Sequence, residues 1–152
     1  MNIRFPTVTL VLVLLQSGCA TATPTATPTP TAAASPGQPE LACQLPSNCV
    51  SSQGSGGLAP LAFSGTPAQA MVLLQATLKT FPEASIVRTE PLALEVIFTT
   101  LVGFRDQVDF IIDPQALRID FRSRSLFGLY DFGKNRSRMN EFRTRFEQQT
   151  RQ

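Results

Sequence analysis

The chain has 152 residues, 43% of them hydrophobic, and its formal net charge at pH 7 is +2. So small a charge does not indicate nucleic-acid binding, and we expect no nucleic-acid partner. Histidine is absent, which removes the most common general base and the most common zinc ligand, so no metal or cofactor site is predicted.

Residues 1–18 are predicted to be a signal peptide. Arg4 precedes a largely apolar run from Val8 to Leu15, and the small residues Ser17 and Gly18 follow it. As a helix this run spans only about 12 Å, far less than the ~30 Å hydrocarbon layer of a bilayer. The segment is therefore expected to direct export and not to anchor the chain by crossing the membrane.

Cys19 directly follows the small pair Ser17-Gly18, and this arrangement resembles the cleavage site of bacterial lipoproteins. The resemblance implies that Cys19 is acylated and holds the protein on a membrane, facing the periplasm. Gln16 stands where that class prefers leucine. The alternative is cleavage by a general signal peptidase at residues 20–22, which would release a soluble protein, and the thylakoid lumen is a further alternative location.

The segment 19–41 is predicted to be a disordered tether. Its residues 20–39 are almost entirely Ala, Thr and Pro and carry no charge. Such a composition cannot bury enough apolar surface to offset the entropy of ordering. Twenty residues in an extended, polyproline-like form reach about 60 Å, enough to hold a folded domain away from a bilayer.

Cys43 and Cys49 enclose a five-residue loop. An even pair of cysteines in an exported protein predicts a disulfide, because the compartment is oxidising. Free or redox-active thiols are one alternative, although the spacing differs from the C-x-x-C of redox enzymes. A metal site is the other, and two cysteines without histidine supply at most half of it.

Residues 42–152 are predicted to fold as a single α+β domain with two helices. Thr66 and Pro67 have the residue types of a helix cap and a first helical position. The apolar residues of this first helix follow at helical spacing: Met71, Leu74, Leu78 and Phe81. A second helix is expected from about Asn135, with a buried stripe formed by Met139, Phe142 and Phe146.

Between the helices, alternating patterns predict four strands, at 86–89, 93–100, 108–112 and after the turn at Asp113-Pro114. In the last strand the inner face is expected to hold Leu117, Ile119 and Phe121, and the outer face Arg118, Asp120, Arg122 and Arg124. The simplest packing is an antiparallel β-meander sheet covered on one face by the two helices. The other face of the sheet is expected to be polar and open.

Three blocks of the chain resemble family 1499 of the domains of unknown function, which occurs in bacteria, including cyanobacteria, and in plastids. The first block is Cys43-Gln44-Leu45-Pro46-Ser47-Asn48-Cys49-Val50-Ser51-Ser52, and the second is Val102-Gly103-Phe104-Arg105-Asp106-Gln107-Val108-Asp109-Phe110. The third is Arg122-Ser123-Arg124-Ser125 with Gly128, Asp131, Gly133, Asn135 and Arg136. The resemblance covers residues 42–143 and implies a domain of undefined activity. Many members carry charges near Leu101, Gln107 and Leu126, which are neutral here.

The polar residues of these blocks form the predicted binding site. Asp109 is expected to lie opposite or diagonal to Arg122, because the turn between their strands sets the register. Guanidinium groups bind a carboxylate, a phosphate or a sugar acid bidentately. The alternative interpretation is structural, with cross-strand ion pairs, turns and helix caps. The set comprises Asp106, Asp109, Arg122, Ser123, Arg124, Asp131, Asn135 and Arg136.

Two classes of function follow. The first is a lipid-tethered binding or assembly-support module, with a protein partner or an anionic ligand. The alternative is a small hydrolase or isomerase that uses Asp106 or Asp109 as acid and base on the polar sheet face. No catalytic residue is assigned, since Ser51 and Ser52 have no histidine to activate them. Residues 134–152 hold six Lys or Arg against two Glu, a face suited to anionic lipid, an acidic partner or solvent.

Overall fold

Two helices and a six-stranded sheet make up the fold, which confirms the predicted α+β class. The computed structural model describes residues 41–54 and 58–151. The strands are β1 (Cys49–Ser51), β2 (Leu61–Ala62), β3 (Ala84–Thr89), β4 (Ala93–Thr99), β5 (Arg105–Asp113) and β6 (Arg118–Ser125). The helices are α1 (Pro67–Leu78) and α2 (Lys134–Gln149).

Strands β3 to β6 form the predicted antiparallel meander, and the sheet order is β1-β6-β5-β4-β3. The short strands β1 and β2 both pair with β6 on the side away from β5. Sequence reasoning missed these two strands because three and two residues are too few to show an alternating pattern. Their pairing makes β6 an interior strand of the sheet, so the residues on both of its faces have neighbours on either side.

The core lies between the sheet and the helices. Leu74 of α1 and Phe142 of α2 are completely buried, as are Phe110 and Phe121 on the sheet. The ring centres of Phe110 and Phe142 lie 5.0 Å apart, and this contact joins α2 to the centre of the sheet. The predicted buried stripe of α2 is confirmed, since Met139, Phe142 and Phe146 are all inaccessible to solvent.

Helix α1 begins where the sequence predicts. The Thr66 hydroxyl accepts a hydrogen bond from the Gln69 backbone N–H, and the Gln69 side chain accepts one from the Thr66 N–H. This reciprocal capping box satisfies two backbone donors that a helix start leaves unpaired. Neither described helix has the length and apolar run needed to cross a membrane.

The turn between β5 and β6 corrects one prediction. Asp113 Oδ1 accepts hydrogen bonds from the backbone N–H groups of Gln115 and Ala116, both at 3.0 Å. The turn therefore extends through Leu117, which has a positive φ of 49° and is 46% exposed. Its assignment to the inner face was wrong, because β6 begins only at Arg118.

The outer face of the sheet is not open, which corrects a second prediction. Asp109, Asp120 and Arg122 on this face are buried, together with the apolar side chains of Ile97 and Ile111. The charged groups are accommodated because they are paired, Asp109 with Arg122 on the neighbouring strand and Asp120 with Arg118 on the same strand. Polar residues on alternate positions of a strand thus do not by themselves indicate a solvated face.

Candidate functional site

The predicted site residues divide between the two faces of the sheet. Successive side chains of a strand point to opposite faces, and Asp106 and Asp109 are three positions apart on β5. Asp106 lies on the helix-covered face with Ser123 of β6. Asp109 lies on the outer face with Arg122 and Arg124. The prediction that one polar sheet face carries both carboxylates was therefore wrong.

On the helix-covered face, Asp106 forms a buried ion pair with Arg138 of α2. The Arg138 Nη2 group donates to Asp106 Oδ2, and the Ser125 hydroxyl donates to Asp106 Oδ1 at 2.6 Å. Arg138 also donates to Asn135 Oδ1 at 2.9 Å, and its guanidinium lies 4.8 Å from the centre of the Phe98 ring. Both carboxylate oxygens thus have a partner, as burial of a charge requires.

Asn135 connects this ion pair to the edge of the sheet. Its Oδ1 accepts a hydrogen bond from the Ser123 hydroxyl at 2.6 Å. Its Nδ2 donates to the Asn48 carbonyl at 3.0 Å and to the Ser125 hydroxyl at 3.1 Å. We call the set Asp106, Ser123, Ser125, Asn135 and Arg138 the inner polar cluster. It joins α2, β5, β6 and the residue that precedes β1.

Sequence reasoning did not find Arg138 as a member of this cluster. Its charge was counted with the basic residues of the second helix, where it contributed to a face expected to meet lipid, a partner or solvent. In the structure its side chain is only 4% exposed. A buried arginine and a solvated one look the same in a helix sequence, because the partner carboxylate lies on another element.

On the outer face, Asp109 and Arg122 lie directly opposite each other, and the predicted cross-strand pairing is confirmed. Arg122 donates to Asp109 Oδ2 from Nη2 at 2.7 Å and from Nε at 3.3 Å. Gln107 donates to Asp109 Oδ1 at 2.8 Å and accepts from Arg124 Nη2 at 2.9 Å. The remaining Arg122 amino group donates to the Ala42 carbonyl at 3.3 Å. The arginine fork is thus occupied by groups of the protein itself.

Asp131 and Arg136 lie around the start of α2. Asp131 accepts hydrogen bonds from the backbone N–H groups of Gly133 and Asn135, so its carboxylate orders the first turn of the helix. Gly133 has a φ of 77°, a conformation that glycine adopts without strain. Arg136 is exposed, and with Asp131 it lines a surface cleft of about 650 Å³ beside β1. For Asp131 the geometry favours the capping role.

The disulfide between Cys43 and Cys49 is present, which confirms the predicted pairing. Residues 43–49, here called the disulfide loop, pack against the segment 126–132 between β6 and α2. Ser47 Oγ donates to the Leu129 carbonyl at 2.5 Å, and Asn48 Nδ2 donates to the Gly128 carbonyl at 2.6 Å. The Asp131 N–H donates to the Ser47 carbonyl at 3.2 Å. The disulfide loop therefore holds the 126–132 segment in place.

Exposed apolar side chains concentrate at one end of the sheet. They lie on the β4–β5 hairpin turn, residues 100–104, and on the segment 126–132, which together we call the tip. The two parts touch, since Phe104 and Phe127 stack with ring centres 6.5 Å apart and the Leu126 N–H donates to the Arg105 carbonyl. Large exposed side chains of the tip are Leu101, Val102, Phe104, Leu126, Phe127, Leu129, Tyr130 and Phe132. A contiguous exposed apolar surface marks an interaction site, whereas single exposed apolar residues do not.

The tip was absent from the sequence prediction of the site. Its apolar residues stand next to Gly103, Gly128 and Gly133, which entered the sequence analysis only as members of the family blocks. A usable signal was nevertheless present in the segment 126–132, where five of seven residues are Leu, Phe or Tyr and no alternation places them on a strand. Apolar residues in a loop have no regular element to bury them.

The geometry does not assemble a catalytic centre from the predicted carboxylates. Asp106 and Asp109 lie on opposite faces of the sheet, and both oxygens of each are bonded to other side chains. A carboxylate pair that acts as acid and base must face the same substrate. Across residues 41–54 and 58–151, no group of three or more Cys, Asp or Glu side chains is arranged to hold a metal ion.

The chain belongs to the family described as protein of unknown function DUF1499, whose sequence profile matches residues 41–146. No curated protein matches the chain. The family match confirms the resemblance carried by the three sequence blocks. In the fold, the first block supplies the disulfide loop, and the second supplies Asp106 and part of the β4–β5 hairpin turn. The third block supplies the end of β6 and the start of α2. Residues distant in sequence thus meet at one end of the domain.

Proposed function

We propose that the protein is an exported, lipid-tethered and non-catalytic module for binding or assembly support. The main support for this proposal is that the buried charged groups of the domain already have partners, whereas its exposed apolar groups do not. The buried charged groups of the predicted site are bonded to one another, while large apolar side chains at the tip are exposed. Exposed apolar surface costs free energy in water, and contact with a partner removes that cost.

An anionic ligand is a weaker candidate than an apolar contact. To bind it, Arg122 would have to leave Asp109, and Arg138 would have to leave Asp106. Either movement would leave a buried carboxylate without its cation, which is costly. The tip needs no such rearrangement, because its side chains already project into solvent. The enzyme alternative, a hydrolase or isomerase using these carboxylates, has no geometric observation in its favour.

The tether part of the proposal rests on the sequence alone. The signal peptide, the acylation site Cys19 and the tether 19–41 fall, apart from residue 41, outside the described residues. Support comes from the small pair before Cys19 and from the uncharged Ala, Thr and Pro segment that follows. The proposed location is the periplasmic face of a membrane, and secretion or the thylakoid lumen are the alternatives.

Intact-mass measurement of the mature protein from its native membrane tests the tether. We expect a chain that begins at Cys19 and carries added acyl mass, and we expect Cys19→Ala to abolish that mass. The double variant Cys43→Ser/Cys49→Ser is the matched control, because it removes two other cysteines and should leave the acyl mass unchanged. A mature chain that begins at Thr23 without added hydrocarbon would contradict the proposal.

A further inference from the structure

We propose that the tip binds an anionic lipid bilayer by inserting its exposed side chains into the interfacial region. This inference rests on the proposed function and deepens it, because it assigns a partner to the same surface. Three features of the tip support binding to a bilayer: its shape, the hydrogen bonding of its backbone and the charges around it.

The shape of the tip suits a fluid partner. Leu101 is as exposed as in an extended peptide, and Phe132 is 98% exposed, so both side chains project beyond their surroundings. They come from separate loops, and Phe127 and Tyr130 of the second loop are also largely exposed. A protein partner would need a matching pocket for each projecting side chain. A bilayer interface accommodates all of them without such pockets, and aromatic rings are favoured there.

Part of the backbone of the tip is hydrogen-bonded within the protein. In the hairpin turn, the N–H groups of Thr100 and Gly103 donate to the carbonyls of Phe104 and Thr100, at 2.8 and 2.9 Å. The Phe104 N–H donates to the Thr100 hydroxyl at 3.0 Å. In the other half of the tip, the disulfide loop satisfies the carbonyls of Gly128 and Leu129. Unpaired backbone groups are what bar irregular loops from lipid, and these groups are paired within the protein.

The charges around the tip match an anionic surface. Arg105 and Lys134 are exposed directly beside the two loops. Asp131 is the one acidic residue within the two loops, and its carboxylate is bonded to the first turn of α2. Outside the loops, the carboxylate of Glu83 lines the same groove as Lys134 and Leu101. The basic groups therefore lie where phospholipid headgroups would meet the domain.

The proposed tether makes this contact easy to reach. Twenty-three residues in polyproline-like form would reach about 70 Å, so a tether over residues 19–41 would allow the tip to return to the membrane that holds Cys19. Linkage converts the second contact into an intramolecular event with a raised effective concentration. A weak insertion by the tip is thus sufficient to hold the domain against the bilayer.

Vesicle co-flotation tests the tip without the acyl group. The chain 19–152 with Cys19→Ala is mixed with vesicles of phosphatidylethanolamine and phosphatidylglycerol, or of phosphatidylcholine alone. We expect binding to the anionic vesicles, and about a tenfold lower partition coefficient for Phe127→Ser and for Phe132→Ser. Lys134→Gln should lower partition about fivefold on anionic vesicles only.

Val72→Ser is the matched control, since Val72 is an exposed apolar residue of α1 away from the tip. It should bind like the parent chain, and all variants should keep the parent melting temperature because the altered side chains are exposed. Equal binding by the parent and the two phenylalanine variants, or no binding at all, would overturn the proposal. So would loss of a captured protein partner by those variants with unchanged vesicle binding. Acylation of Cys19 is measured separately by mass, so failure of the tip and failure of the tether are distinguishable.

Discussion

Two buried ion pairs, one on each face of the sheet, differ in what they hold together. Asp109 and Arg122 belong to adjacent strands that already share a hydrogen-bonded ladder. Asp106 and Arg138 belong to β5 and α2, which no backbone ladder joins. The Asp109–Arg122 pair adds to the pairing of β5 and β6, which the backbone hydrogen bonds already hold. The Asp106–Arg138 pair fixes the position of α2 on the sheet.

The surroundings of the two pairs extend this difference. Around Asp109 the further bonds of the pair stay within β5 and β6, through Gln107 and Arg124, apart from the bond of Arg122 to the Ala42 carbonyl just before the disulfide loop. Around Asp106 they reach Asn135 and, through it, the Asn48 carbonyl in the disulfide loop. Damage to the second pair should therefore reach the tip, and damage to the first should not. Three variants test this comparison, from the largest expected effect to the smallest.

Arg138→Met should be the most destabilising of the three. It leaves the Asp106 carboxylate buried without its cation and removes the contacts of Arg138 with Asn135 and the Phe98 ring. We expect a loss of about 3–5 kcal/mol in the free energy of unfolding, measured by denaturant titration. Glu141→Gln is the control on the same helix, since its exposed pair with Arg145 should be worth at most about 0.5 kcal/mol. Equal effects of the two substitutions would refute the role assigned to Arg138.

Arg122→Met should cost about 1–2 kcal/mol less than Arg138→Met. Asp109 also loses its cation, and the Ala42 carbonyl loses a donor, but no contact with an aromatic ring is lost, so the difference is the cation–π contact that Arg138 makes with Phe98. Denaturant titration measures the loss, and amide exchange at the tip should stay at the parent rate. Unchanged stability together with lost partner binding would contradict the structural role and favour Arg122 as a binding residue.

The double variant Cys43→Ser/Cys49→Ser should cost about 2 kcal/mol, the chain-entropy value for closing a loop of this length. Opening the loop also weakens the support that Ser47 and Asn48 give to the segment 126–132. Hydrogen exchange at the Asp131 amide should therefore accelerate. Gln44→Ala, an exposed position within the same loop, is the control and should change neither quantity. An Asp131 amide that stays protected in the double variant would show that the support comes from elsewhere.

The sequence predicted those features that depend on neighbours along the chain. The cap at Thr66 follows from its residue type directly before Pro67, the stripe of α2 follows from helical spacing, and both were confirmed. The pairing of Asp109 with Arg122 followed from a turn at a known position, because a turn sets the register of the two strands that it joins. The disulfide followed from two cysteines close in sequence in a chain predicted to be exported.

Other features depend on how elements pack, and these the sequence did not predict. To predict that β1 and β2 pair with β6, one would have to know which edge strand of the sheet is free to pair. The burial of Asp109 and Asp120 on the outer face could not be predicted without the full set of contacts that surrounds each carboxylate. Leu117 was misplaced because the Asp113 side chain extends the turn by hydrogen bonds that periodicity does not reveal.

By itself the sequence determined the class of the fold, the disulfide and the ion pair within the hairpin, since each rests on short separations and repeating patterns. Only the tertiary structure decided that Asp106 takes Arg138 as its partner and that the apolar residues of two loops share one exposed tip. The physical reason is that these relations join residues from different elements, whose distance is set by helix packing and sheet order. Patterns along the chain indicate which residues can be buried, whereas the packing of the elements determines which residues come into contact.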